Sequence, residues 1–207
     1  MQLTTTVLLF HLMGLTLGAG AAFLLDLVIM RFCVSRRISR GKYQIIKYAT
    51  RVTVIGLGLL WYTGLMFLWL MAAHDPEALA NPKIWAKLTI VGILTLNGLY
   101  IHSAVLPVIR RNIGSRIFDG VSKSQKRMML ASGAISTVSW ITPMVLGALR
   151  DLDLGKPFVE GYLTFMGIYL VAVVCAIMGS FTYHWWTRYS RRLRARKRVR
   201  IKYTVSL

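Results

Sequence analysis

The feature that most constrains this chain is a series of five apolar runs, each of about 20 residues or more. An apolar α-helix of that length covers the hydrocarbon core of a bilayer, which is about 30 Å thick. In lipid every backbone polar group must be bonded within the protein, and a helix satisfies these groups within each segment. The sequence therefore predicts an all-α, polytopic membrane bundle and excludes a water-soluble domain.

The five predicted spans are separated by short polar segments. They cover residues 5–31, 47–71, 83–109, 128–149 and 162–186, and a basic tail follows at residues 188–207. The first run is long and has no basic residue before it, so we expect it to stay as a span rather than to be a cleaved signal peptide. One bundle, residues 1–187, and one tail are predicted.

The charged residues predict the orientation of the bundle. The net charge is +19, and 22 of the 26 basic residues fall in the tail, in the segment between spans 3 and 4, or in and beside the segment between spans 1 and 2, where Arg31, Lys47 and Arg51 at the span ends are counted. Five of the seven acidic residues fall in the other two loops. Because basic segments stay in the cytoplasm, the N-terminus is predicted outside and the C-terminus inside. This pattern accounts for the charge without a nucleic-acid partner, and none is expected.

The third run carries a charge, an amide and an imidazole inside an otherwise apolar segment: Lys87, Asn97 and His102. Each costs several kcal/mol in hydrocarbon unless another group pairs with it, so each is a candidate for a functional site. Lys87 is the candidate catalytic residue. Asn97 is predicted to form interhelical hydrogen bonds.

The first span adds two more polar groups on one helical face, His11 and Asp26. Small residues, among them Gly14 and Gly18, adjoin them, so this face is predicted to contact other helices rather than lipid. At about 1.5 Å per residue, His11 and Lys87 fall at a similar depth in the outer half and are predicted neighbours.

Asp26 falls at a depth close to that of Arg51, near the inner end of their spans. We predict that these two residues form a structural ion pair within the membrane. Removing one partner of such a pair typically costs about 3–5 kcal/mol.

Two histidines, His102 on span 3 and His184 on span 5, fall at a similar depth on the cytoplasmic side. Two imidazoles on separate helices can ligate the iron of haem b from its two faces while the bundle holds the macrocycle. The neighbours of His184 are Trp185 and Trp186, which are equally compatible with a residue at the membrane interface. Both interpretations stay open.

Two other classes of function fit the polar residues. A copper-type permease would use His11, His102 and methionines such as Met13 and Met66, because soft ligands suit Cu(I). A structural or assembly subunit would use its intramembrane polar groups only for helix packing. Whether the chain is an enzyme is left open by its sequence.

The predicted partners follow from the membrane location and the tail. Apart from the bilayer itself, the tail is expected to contact anionic lipid head groups, at about 1 kcal/mol per basic residue near the surface. Its basic composition also serves as a topology anchor. The other predicted partner is a second copy of the chain or a subunit of a membrane complex.

Three stretches carry a resemblance to a known family. They are HLMGLTLGAGAAFLLDL from His11, RVTVIGLGLLWYTGL from Arg51, and Trp85-Ala-Lys-Leu from Trp85. They are similar to the copper-resistance protein D superfamily of small polytopic bacterial membrane proteins, which includes the haem-binding protoporphyrinogen oxidase of the J type. The resemblance covers roughly residues 7–106.

The resemblance implies a haem-ligand or redox-site role for His11, an essential polar role for Lys87 beside it, and a location in the bacterial inner membrane. The oxidase has a histidine near the position of Asn97, whereas here the histidine is His102. The fifth span and the basic tail are additions to its pattern. The leading hypothesis is a haem b-binding or porphyrin-related redox protein.

Overall fold

The computed structural model describes the backbone of residues 2–34, 37–149 and 155–204, and the side chains of residues 3–29, 37–149, 155–187, 189 and 190. The described residues are helical nearly throughout. In chain order the elements are α1 (Gln2–Val34), α2 (Arg40–His74), a 3₁₀ helix (Pro76–Ala80), α3 (Pro82–Tyr100), a π-helical segment (Ile101–Val105), α4 (Leu106–Arg111), α5 (Lys123–Ala148) and α6 (Phe158–Thr204).

The all-α bundle with five spans is confirmed. Five helical segments in the described part of the chain are long and apolar enough to cross a membrane: Leu3–Ile29, Arg40–His74, Pro82–Arg111, Lys123–Ala148 and Phe158–Thr187. Large apolar side chains cover much of their outer surface, as lipid contact requires. The orientation of the bundle stays a prediction. The inner half of the bundle is the half that is predicted to face the cytoplasm.

Side-chain caps set where the helices begin. The hydroxyl of Ser39 accepts a hydrogen bond from the backbone N–H of Lys42 at the start of α2. Ser122 and Gln125 form a reciprocal capping box at the start of α5. Pro82 begins α3, where proline is well suited because it lacks the N–H that the first turn leaves unbonded anyway.

The third span widens into a π-helical turn before it continues as α4. The N–H of Leu106 bonds to the carbonyl of Ile101, five residues back. Pro107 has no N–H, and in a regular helix its ring would clash with the carbonyl of Ser103. The wider turn relieves this conflict, and it carries His102.

The helices pack as an α1–α2 pair beside a group formed by α3, α5 and α6, and α5 also contacts α1. Gly14, Gly18 and Gly56 allow α1 and α2 to approach closely, since a Cβ on Gly56 would lie 2.4 Å from the backbone nitrogen of Gly18. The small-residue face of α1 was predicted to contact helices, and the burial of Gly14, Gly18 and Ala22 confirms this.

The two described inner loops are joined by backbone hydrogen bonds. The N–H of Ile38 donates to the carbonyl of Ser115 (2.9 Å), and the N–H of Gly114 donates to the carbonyl of Ile38 (2.8 Å). Gly114 has φ +94°, a conformation that glycine adopts without steric cost. These bonds hold the end of α4 against the segment before α2, so the inner ends of two spans are fixed together.

Candidate functional site

The inner half of the bundle encloses a cavity of about 440 Å³. This volume is within the roughly 300–1,000 Å³ that is usual for sites of small molecules and cofactors. All five spans contribute lining residues, and most of these are apolar. The polar side chains are concentrated at two ends: two histidines near the inner surface, and a carboxylate, hydroxyls and an indole near the middle of the membrane.

His102 and His184 both line the inner end of this cavity. His102 lies on the π-helical segment, and His184 lies on α6. The ring of Phe118 packs edge-to-face against the ring of His184, with centroids 5.7 Å apart and an interplanar angle of 76°. The structure therefore brings the two inner histidines of the sequence to one cavity, from two different helices.

Asp26 lies at the deep end of the cavity. Its Oδ2 accepts a hydrogen bond from the hydroxyl of Thr137 on α5 (2.7 Å). Trp140 lies almost one helical turn further along α5, lines the same cavity and is only 2% exposed. Its Nε1 is buried and has no hydrogen-bond partner among the described residues.

The predicted Asp26–Arg51 ion pair is not formed. Arg51 is exposed, and its guanidinium lies over the ring of Tyr48, 5.9 Å from the centroid. Among the described side chains, the only ion pair within 4 Å is Lys156–Glu160 at 2.8 Å. The cause is the register of α2: Thr50 faces the cavity, and the next residue is rotated by about 100° around the helix axis.

His11 belongs to a separate polar site in the outer half. Its Nδ1 lies 2.8 Å from the hydroxyl of Thr63 on α2. The Thr63 hydroxyl also lies 2.7 Å from the carbonyl of Leu59, and which of the two groups donates in the His11–Thr63 bond depends on the tautomer of the imidazole. Phe67 packs edge-to-face against the imidazole at 5.6 Å. The ring is therefore held from α2 by one hydrogen bond and one aromatic contact.

Lys87 lies near His11, close enough for their charges to interact. Lys83, one turn earlier on α3, is almost fully buried, and its ammonium donates to the carbonyl of Leu149 at the end of α5 (2.8 Å). Lys87 does not line the inner cavity. Its catalytic role stays a prediction that concerns the outer site.

The structure does not bring His11 and His102 together. Thr63, the partner of His11, lies six residues beyond Leu57, the outermost α2 residue of the inner cavity, which is about 9 Å along the helix. Within the described ranges, no group of three or more His, Cys, Asp or Glu side chains is close enough to hold a metal ion. The copper-type permease, which would use His11, His102 and methionines, stays a prediction.

Asn97 pairs with Ser132 across α3 and α5. Its amide Nδ2 donates to the backbone carbonyl of Ser132 (3.0 Å), and the Ser132 hydroxyl donates to its Oδ1 (2.9 Å). Both groups of the amide are therefore bonded to one residue. Ser132 lines the cavity, so the Asn97–Ser132 pair fixes the part of the cavity wall that lies between the two ends of the cavity.

We predict that Asn97→Leu lowers the free energy of unfolding by about 1–2 kcal/mol, because it removes both hydrogen bonds and leaves the buried Ser132 hydroxyl without its partner. Thermal unfolding of the detergent-purified protein measures this. Ser103→Ala is the control, since the Ser103 hydroxyl is exposed and bonds only within its own helix. Equal stability of the two variants would contradict the role of the pair.

Sequence reasoning missed Thr137 and Trp140 as residues of the cavity. Trp140 lies in an apolar run, where a tryptophan carries no distinct signal. Three serines on α5 are buried, Ser132, Ser136 and Ser139, and the high content of Ser and Thr in this span is the one sign in the sequence that α5 lines a polar region.

The side chains of the basic tail lie outside the described residues apart from Tyr189 and Ser190, so its predicted contact with lipid head groups stays a prediction. The backbone of α6 is helical through Thr204. No protein-family model matches the chain, and no curated protein or solved structure is significantly similar to it. What this membrane protein binds must therefore be argued from the cavity itself.

Proposed function

We propose that this integral membrane protein binds haem b, or a related porphyrin, in the inner cavity and has a redox role. The observation that carries the proposal is that His102 and His184, which belong to different helices, line the same cavity. Imidazole nitrogens are the usual axial ligands of b-type haem in helical bundles.

The residues of the cavity suit such a ligand. Its walls are largely apolar and come from all five spans, so a flat hydrophobic molecule would contact apolar side chains of every helix that spans the membrane. The ring of Phe118 restricts the rotation of His184, and the π-helical turn sets the direction in which His102 leaves α3. When bound, haem would supply one-electron redox chemistry.

The test is the absorption spectrum of the purified protein, oxidised and then reduced with dithionite, after haem supplementation. We expect a Soret band and a reduced α-band in the wild-type protein. His102→Ala and His184→Ala should each abolish the low-spin spectrum, because each removes one of the two imidazoles that would hold the haem iron. His74→Ala is the control, since His74 is exposed near a loop and its Nδ1 contacts only the carbonyl of Leu70.

Two outcomes would overturn the proposal. One is a protein that stays colourless with added haem. The other is a haem spectrum that survives both inner substitutions and disappears in His11→Ala, which would place the ligand in the outer site that the family resemblance favours.

A further inference from the structure

The deep end of the inner cavity holds two polar groups whose hydrogen-bonding capacity is unused. The Nε1–H of Trp140 is buried and has no acceptor in the described part of the chain. Asp26 uses Oδ2 to accept from Thr137, and no described residue donates to Oδ1. A buried donor without a partner is rare in folded proteins because it costs about 1–3 kcal/mol. These two groups therefore indicate a ligand that bonds to both.

Both groups lie on the wall of one cavity, near adjacent turns of α5. Thr137 holds the Asp26 carboxylate at its own level on α5, and Trp140 is three residues further along the same helix. Residues at this spacing lie on one helical face, with Cβ atoms about 5–6 Å apart. Both Asp26 and Trp140 line the same cavity, so a ligand in its deep end meets both side chains.

The chemistry of the two groups selects among ligands. A metal cation or an ammonium would pair with the carboxylate but offers no acceptor to the indole N–H. A carbonyl would accept from Trp140 but has no proton for Asp26. A hydroxyl does both, since it donates one proton to the carboxylate oxygen and accepts from the indole N–H through its lone pairs.

The surroundings indicate what carries that hydroxyl. Ala22, Leu57 and Leu94 line the cavity around the indole and pack with it in one apolar cluster. These three side chains offer no hydrogen-bond partner to the further hydroxyls of an aliphatic sugar or polyol. A hydroxylated aromatic ring presents one polar edge and two apolar faces, which matches the arrangement.

We propose that the deep end of the inner cavity binds the hydroxylated ring of a quinol or phenol, whose hydroxyl donates to Asp26 and accepts from Trp140. This site is distinct from the histidine pair. The Ser139–Tyr169 hydrogen bond (2.9 Å) sets the register of α5 and α6, and His184 lies 15 residues beyond Tyr169, about 22 Å along the helix. The site therefore exists whether or not haem binds at the inner end.

Quinols of the bilayer and water-soluble phenols share this ring chemistry, so the experiment compares the two. The full chain in lipid nanodiscs is titrated anaerobically with a decyl-substituted 1,4-benzoquinol, with unsubstituted 1,4-benzoquinol, and with the dimethyl ether of the decyl compound. Binding is measured by equilibrium dialysis. We expect the decyl quinol to bind, and its dimethyl ether to bind at least about 10-fold more weakly because it has no proton for Asp26.

Comparable binding of the unsubstituted quinol would assign the site to a soluble phenol, and preference for the decyl compound would assign it to a membrane quinol. Either result supports the proposed ring chemistry. No binding of either quinol to the wild-type protein would overturn it, and so would equal binding of the dimethyl ether.

Variants test the two contacts. Trp140→Phe keeps an aromatic ring but removes the N–H, and we expect about 3–10-fold weaker binding of the quinol. Trp61→Phe is the control, since Trp61 does not line the cavity and its Nε1 donates to Thr95 on α3, so this variant should bind normally. Asp26→Asn replaces a carboxylate oxygen with an amide and provides a second variant if Trp140→Phe unfolds, as judged by size-exclusion chromatography. Normal binding in whichever of these two variants folds would contradict the assignment.

A failure of quinol binding can be distinguished from a failure of haem binding, because equilibrium dialysis of the quinol and the Soret band are independent measurements. His184→Ala should leave quinol binding unchanged. Trp140→Phe should leave the Soret band in place.

Discussion

Gly56→Leu is expected to abolish the close packing of α1 against α2. A Cβ at this position would lie 2.4 Å from the backbone nitrogen of Gly18, 2.6 Å from its Cα and 2.7 Å from the carbonyl oxygen of Gly14. All three are backbone atoms of α1, so no side-chain rotation can relieve the contact. The two helices would have to separate along their whole interface, and we expect a loss of about 3 kcal/mol or more in the free energy of unfolding.

The measurement is thermal unfolding and the monodisperse yield of the detergent-purified variant. Gly58→Leu is the control, because it makes the same change of residue type two positions along the same helix. A Cβ on Gly58 meets no atom within 4 Å, and the residue is exposed where lipid would cover it. If both variants unfolded at the same temperature, the close approach of α1 and α2 at Gly56 would be contradicted.

The spans could be predicted from sequence because one physical requirement dominates them. Backbone groups in hydrocarbon must be bonded within the segment, and the apolar runs have the length that a membrane helix needs. The small-residue face of α1 was predictable for a related reason, since only small side chains let two helices approach closely. Neither conclusion depends on how the helices are rotated against one another.

The partner of Asp26 was not predictable, because it depends on that rotation. The similar depth of Asp26 and Arg51 along their helices predicted that they pair, but depth does not determine the direction in which a side chain points. In the structure Thr50 faces the cavity and Arg51 faces outward, whereas the hydroxyl that meets Asp26 comes from Thr137, 111 residues away in sequence. An error of one residue in helix phase is enough to replace an ion pair with a neutral hydrogen bond.

For the histidines, too, depth in the membrane could be predicted from the sequence and side-chain contacts could not. Sequence placed His102 and His184 at a similar depth, and the structure adds that both line one cavity. His11 was placed correctly near Lys87 in the outer half, but its contacts with Thr63 and Phe67 required the packing of α1 on α2. Trp140 was missed altogether, since nothing in an apolar run distinguishes a tryptophan at a buried cavity from one that faces lipid.

Gly18→Ala and Trp140→Phe are expected to be strongly non-additive. A Cβ on Gly18 would lie 2.3 Å from Cη2 at the tip of the Trp140 indole, and its three nearest atoms all belong to that ring. Gly18→Ala alone should therefore cost about 1–3 kcal/mol through overpacking. Trp140→Phe alone should cost about 1–2 kcal/mol, because it removes buried contacts and leaves a cavity.

Together the two substitutions should cost clearly less than their sum, by about 1–2 kcal/mol, because the shorter phenyl ring vacates the space that the new methyl group enters. Denaturant or thermal unfolding of the four proteins measures this coupling. The matched cycle uses Gly20→Ala with Trp140→Phe, since a Cβ on Gly20 meets no atom within 4 Å, and its effects should add to within about 0.5 kcal/mol. Additive effects in the Gly18 cycle would mean that the indole does not pack against α1, and the position of the Trp140 Nε1 at the deep end of the cavity would then be wrong as well.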